Sequence, residues 1–147
     1  PAWPPDRKLR AWQTEALAEL AAHPGKSFLA SATPGAGKTT FGLRVAWEML
    51  ASGRVSRVVV VAPTTHICRQ WAADAARYGI DLEPNRPNAD GPESGDFHGV
   101  AVTYQTIAAG PDTHRLAAGR RRHRGRRLCV VVGCVVSLGL VLLSRCR

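Results

Sequence analysis

The residues best suited to chemistry lie in one short stretch, ATPGAGKTT at positions 32–40. Two glycines, a lysine and three hydroxyls stand where a run that reads as a strand gives way to one that reads as a helix. Backbone N–H groups of such a loop converge on phosphate oxygens, and the partial positive charge of the helix N-terminus adds to their pull. Lys38 would reach the β and γ phosphates of a nucleotide, and the Thr39 hydroxyl would coordinate Mg²⁺. Gly35 and Gly37 would give the backbone the freedom that a Cβ removes. The expected phosphate cradle is Thr33, Pro34, Gly35, Ala36, Gly37, Lys38, Thr39 and Thr40. The general pattern places Gly at its first position, and the small residue Ala32 stands there instead. The competing reading is a Gly-rich turn that merely contains Lys and Thr.

The elements that must position this loop can be read in order. WQTEALAELAAH has helical spacing of Ala and Leu and stops at His23-Pro24-Gly25, as helices do before Pro and Gly. KSFLASA reads as a short buried strand, and KTTFGLRVAWEMLASG as a helix closed by Gly53. SRVVVVAP is a continuous β-branched run, expected of a strand covered on both faces. THICRQWAADAARYG reads as a further helix, residues 81–99 as largely loop from their Pro, Gly, Asn and Asp, and VAVTYQTIA as a strand. Strand, helix, strand, helix, loop and strand predict a parallel α/β sheet with flanking helices.

The chain has 147 residues and a formal net charge of +9, enough length for one domain with a real core. The location of the charge matters more than its total. Residues 1–113 carry 11 Lys+Arg and 11 Asp+Glu, whereas 114–147 carry nine Arg and no acid. The domain organisation expected is therefore a neutral body over 1–113 and an Arg-rich, then apolar tail over 114–147. Three of the four cysteines also lie in the tail, which argues against a disulfide framework and for a reducing, cytoplasmic setting. PAWPPDRKLR has no apolar core of the kind a secretory leader carries.

With Ala at its first position, ATPGAGKT resembles motif I, the Walker A motif, of superfamily 2 helicases and translocases, the group of DEAD/DEAH-type proteins and of type I and III restriction motor subunits. Upstream, LRAWQTEAL resembles the segment in which a Gln reads the adenine edge, and that Gln maps onto Gln13. VVVVAPTTHICRQW resembles motif Ia, a turn that touches the backbone of the nucleic-acid strand; Pro63, Thr64 and Thr65 take those positions. VTYQTI resembles the next strand-end motif, with Thr103 and Gln105 aimed at the same strand. By itself each segment also fits the strand and capping chemistry of any α/β protein; their order around one loop carries the resemblance. It covers residues 8–113 and implies a RecA-like lobe of the P-loop NTPase class, with ATP and Mg²⁺ as cofactors. It further implies DNA held through backbone contacts, and as partners a second motor lobe or restriction and modification subunits.

The pattern breaks in the tail. The family's next strand ends in Asp-Glu, the Walker B acids that hold Mg²⁺ and orient the attacking water. In RRLCVVVGCVVSLGLVLL, Gly133 and Cys134 stand there instead, and no acid follows. The lobe is thus expected to be incomplete and, alone, deficient in hydrolysis. Three readings of the tail compete. As a membrane anchor, the 16 residues Leu128–Leu143 would span about 24 Å as a helix, short of the roughly 30 Å hydrocarbon core, so a membrane partner is not expected. As a basic arm, GRRRHRGRR would hold nucleic acid. Loss of every acid and abrupt Arg and Cys enrichment favour the third, a tail foreign to the family through out-of-frame translation or a truncated gene. Outside the helicase reading stand a small P-loop kinase or GTPase, and a non-catalytic nucleotide- or nucleic-acid-binding module.

Overall fold

The computed structural model describes residues 3–25, 27–33, 35–85 and 97–109, together with the backbone of 129–135 and 140–146. Helix α1 (Ala11–Ala22) precedes β1 (Ser27–Ser31), α2 (Lys38–Ala51), β2 (Arg57–Ala62), α3 (Thr65–Ala76), β3 (Leu82–Pro84), β4 (Gly99–Thr103), α4 (Tyr104–Ala109), β5 (Cys129–Val135) and β6 (Leu140–Cys146). The strands form one six-stranded sheet in the order β1-β6-β5-β2-β4-β3. The fold is α/β, a partial RecA-like P-loop domain.

Local chemistry accounts for most boundaries. Helix α2 buries Phe41, Val45 and Met49, one face at the i, i+4 spacing. It gives way to Gly53 at φ +70°, the left-handed region that glycine enters without a Cβ penalty. Helix α3 is capped by Thr64, whose hydroxyl accepts from the Ile67 N–H at 3.2 Å, and it buries Cys68, Trp71 and Ala75. Strand β2 is buried along Val58–Ala62 and β4 along its whole length. Its valines alternate between two clusters, as a period of two requires. Val58 and Val60 join α2 and α3 residues, while Val59 and Val61 join Val100 and Val102 with Ile107 of α4 packed alongside. Gly99 sits opposite Val58, where an added Cβ would lie 1.7 Å from the Val58 carbonyl oxygen; only glycine lets these two strands approach.

One expectation gains detail and two need correcting. Residues 81–99 contain a three-residue strand, β3, which pairs parallel with β4; residues 86–96 lie outside those described. The stretch VAVTYQTIA divides into β4 and α4, because Thr103 turns its hydroxyl onto the Thr106 N–H at 3.2 Å and starts a helix where β-branched composition predicts a continuing strand. The sheet is also not wholly parallel. β5 pairs parallel with β2 as the valine run suggests, but β6 lies antiparallel between β5 and β1. Only residues 136–139 separate β5 from β6, and a parallel return needs about a dozen or more. The apolar run thus gives two strands in place of the single helix that a membrane anchor would require. Among the described residues no helix is long and apolar enough to cross a membrane.

Candidate nucleotide site

The loop after β1 carries two residues in the left-handed region, Gly35 at φ +76° and Gly37 at φ +89°. Gly37 is the N-cap of α2, so the helix begins at Lys38 as the sequence predicts. The Ala36 N–H donates to Thr33 O at 3.1 Å and tightens the loop. The two glycines are needed for different reasons. At Gly35 an added Cβ meets nothing within 4 Å, so φ alone demands glycine; at Gly37 it would also lie 2.8 Å from Gln13 Nε2. Lys38 folds back over the loop, its ammonium donating to Ala32 O at 3.0 Å and Thr33 O at 2.9 Å. That posture holds a cation at the mouth of the cradle. Thr39 and Thr40 lie half-buried in the first turn of α2; Pro34 lies outside the described residues.

The first turn of α1 closes on this loop. Arg10 Nη1 donates to Gly35 O at 3.1 Å, Trp12 Nε1 to Ala36 O at 2.9 Å and Gln13 Nε2 to Gly37 O at 2.8 Å. Three successive carbonyls are thereby satisfied from one turn of helix, which leaves N–H groups as the polar face the loop can offer a ligand. Gln13 is 2% exposed; besides donating to the loop, it accepts from the Arg10 N–H at 2.8 Å through Oε1. Both ends of its amide are thus engaged within the protein. Trp12 also packs against Phe41 of α2, ring centroids 5.4 Å apart. Sequence reasoning singled out Gln13 and missed Arg10 and Trp12. The signal was the pair that precedes it in LRAWQ, two further side-chain donors within one helical turn of Gln13.

The second group predicted from sequence lies at the C-terminal ends of β2 and β4, whose Ala62 and Thr103 are partners in parallel register. Pro63, Thr64 and Thr65 are exposed there, as is Gln105. Thr103 is nearly buried, at 9% exposure, and its hydroxyl pairs with that of Thr106 at 2.9 Å as well as capping α4. Thr64 has a capping duty of its own, and the Thr65 carbonyl accepts from Asn85 Nδ2 at 3.3 Å. Strands β1, β2 and β4 run the same way, so the cradle and this row share the C-terminal edge of the sheet, where ligands bind in open α/β folds. No group of His, Cys, Asp or Glu among the described residues could hold a metal ion by itself.

A glycine-shaped loop between a strand and a helix N-terminus, on one edge of a mainly parallel sheet, defines a nucleotide-binding module of the P-loop class. Residues 6–119 match the family described as "Type III restriction enzyme, res subunit", and the chain belongs to that family, as a helicase-like ATP-binding module. It is 45% identical over 125 residues to the uncharacterized protein ML1624 of Mycobacterium leprae, covering 85% of this chain and 20% of that protein. It is 44% identical over 114 residues to the uncharacterized protein Rv2917 of Mycobacterium tuberculosis, covering 78% of this chain and 19% of the relative. The chain therefore spans about one fifth of the length of these relatives. No solved structure gives a significant match.

Proposed function

We propose that this chain is the ATP-binding lobe of an ATP-dependent DNA helicase or translocase and that it binds Mg·ATP without hydrolysing it. The observation that carries the reading is the loop from Thr33 to Thr40, with Gly37 left-handed at the head of α2 and Lys38 folded over the mouth. A triphosphate fits such a site chemically. Loop N–H groups and the helix terminus supply fixed positive potential, and the Lys38 ammonium can exchange two carbonyl oxygens for phosphate oxygens of higher charge. Thr39 would hold the magnesium ion, which neutralises phosphate charge when bound. Gln13 would read adenine, as the resemblance implies, by exchanging one of its present hydrogen bonds for one to the base. Pro63, Thr64, Thr65 and Gln105 would contact the DNA backbone, which needs donors but reads no sequence; Thr103 would act there by shaping the turn.

Hydrolysis asks for more than this chain offers. Strand β5 runs beside β2 where the family's acids are expected, and its sequence there is Gly133-Cys134. Neither residue type can position a hydrated Mg²⁺ or take a proton from water at neutral pH. An arginine finger alone contributes about 10³ to 10⁵ in rate, and a second lobe would have to bring it. Binding of a fluorescent ATP analogue and release of phosphate, measured on this chain and on Lys38→Ala, test the proposal. Binding that is lost in Lys38→Ala, with no turnover in either protein, is the expected result. DNA-stimulated phosphate release by the unsubstituted chain would overturn it.

A further inference from the structure

Two large apolar side chains stand well exposed among the described residues, Leu29 at 57% and Tyr104 at 42%. Leu29 belongs to β1, at one edge of the sheet. Tyr104 follows β4 as the first residue of α4, between Thr103 and Gln105, both placed above in the row proposed to meet DNA. Thr103 is the register partner of Ala62, so Tyr104 and Pro63 are the next residues along two neighbouring strands. Single exposed apolar side chains are ordinary on a protein surface; the position of this one sets it apart.

The backbone that carries Tyr104 is fixed on both sides. Thr103 Oγ1 accepts from the Thr106 N–H at 3.2 Å and pairs with the Thr106 hydroxyl at 2.9 Å, closing a turn that contains Tyr104 and Gln105. Ile107, in the same short helix, packs against Val59, Val61, Val100 and Val102 and fastens α4 to the sheet. The first turn of α3 is tied to the same edge, since Asn85 donates through Nδ2 to Thr65 O at 3.3 Å and through its backbone N–H to Ala101 O at 2.8 Å. Hydroxyls and an amide on such a row can hold the phosphates of a single strand, but they offer nothing to the flat faces of its bases. An aromatic ring beside them does, and because every base has a π-face the contact tolerates any sequence.

We propose that Tyr104 is a base-stacking residue: its ring carries one base of the single DNA strand whose backbone is held by Pro63, Thr64, Thr65 and Gln105. The proposal rests on the reading of that row as the DNA contact. Fluorescence polarisation, at a salt concentration that suppresses the contribution of the Arg-rich tail, compares an oligodeoxyadenylate with an abasic strand of the same length. Tyr104→Ala weakens the oligodeoxyadenylate by about five- to tenfold and leaves the abasic strand unchanged. Tyr104→Phe, which keeps the ring, binds as the unsubstituted chain does. Tyr104→Leu, which keeps apolar bulk without a π-face, binds as weakly as Tyr104→Ala and serves in its place if that variant does not fold. A 2-aminopurine in the strand is quenched on binding the unsubstituted chain and less so on binding Tyr104→Ala. Equal weakening of both strands, or no weakening of either, overturns the proposal. Gln105→Ala reads the underlying row. If it weakens both strands while Tyr104→Ala weakens neither, stacking falls and the backbone contact stands; if it too changes neither, both fall.

Discussion

Gln13 Nε2 stands 2.8 Å from the carbonyl oxygen of Gly37, the residue whose left-handed backbone at φ +89° begins α2. A helix from before the sheet and a loop from within it are joined here at a position where an added Cβ would crowd the contact. The carboxamide is long enough to reach the carbonyl only because nothing grows from the Gly37 Cα.

Gly37→Ala should therefore cost more than Gly35→Ala. Both place an L side chain in the left-handed region, at about 1–2 kcal/mol. Only the substitution at Gly37 adds a Cβ that would lie 2.8 Å from Gln13 Nε2 and displace the hydrogen bond. Urea midpoints should rank the unsubstituted chain above Gly35→Ala and Gly35→Ala above Gly37→Ala. Equal midpoints for the two variants would show that the Gln13 contact contributes nothing.

Thr64 is the cap of α3 and is proposed as a DNA contact, and stability and binding read the two roles separately. Thr64→Ala removes the acceptor for the Ile67 N–H and should lower stability by about 1 kcal/mol, whereas Thr64→Ser keeps the hydroxyl and should be near neutral. Single-stranded DNA binding, followed by fluorescence polarisation at two salt concentrations, should depend mainly on the six Arg between 120 and 127 and weaken steeply with salt. Replacing those six by Gln is the cleaner test, since deleting 114–147 would also remove β5 and β6 from the sheet. Binding that survives the six-fold replacement and Thr64→Ser but vanishes in Thr64→Ala would place the main contact at the β2 end.

Burial raises the pKa of the Cys68 thiol, and hydrogen bonds from the Ala62 and Cys68 backbones only partly offset it. Below the ordinary thiol range both folded and unfolded chains keep this proton, and its contribution to stability is complete. As pH rises past about 8.5 the unfolded chain releases the proton first, so stability falls, by at most about 1.4 kcal/mol per pH unit for one group. Cys68→Ala should start less stable by about 1–2 kcal/mol, from the lost packing, and show a shallower decline between pH 8 and pH 10. Identical slopes for the two proteins would refute a buried thiol.

The tail offers a test outside the protein. The family match ends at residue 119, close to where the composition changes. If 120–147 are read out of frame, shifting the coding sequence by one base near codons 115–128 should reveal an apolar strand followed by Asp-Glu. Early stops in both other frames, or no such acidic pair, would mean that the tail is the chain's own.

The glycine turns of the loop, helices α1 to α3 with strands β1 and β2, and the α/β class were legible because they rest on local chemistry. Glycines mark left-handed turns, a β-branched run marks a strand covered on both faces, and a Lys after Gly at a helix start marks a place for anions. What no local pattern contains is how distant segments meet. That β6 enters antiparallel beside β1, that Thr103 turns its hydroxyl inward to begin α4, and that Arg10, Trp12 and Gln13 each find one carbonyl of the loop depend on contacts between residues far apart in the chain or on geometry finer than residue type. Spacing along the sequence can show that Gln13 carries a donor and an acceptor, but only the packing of α1 against the loop decides that Nε2 reaches Gly37. Hydrogen bonds are made over about 3 Å, a distance set by tertiary structure between residues 24 positions apart.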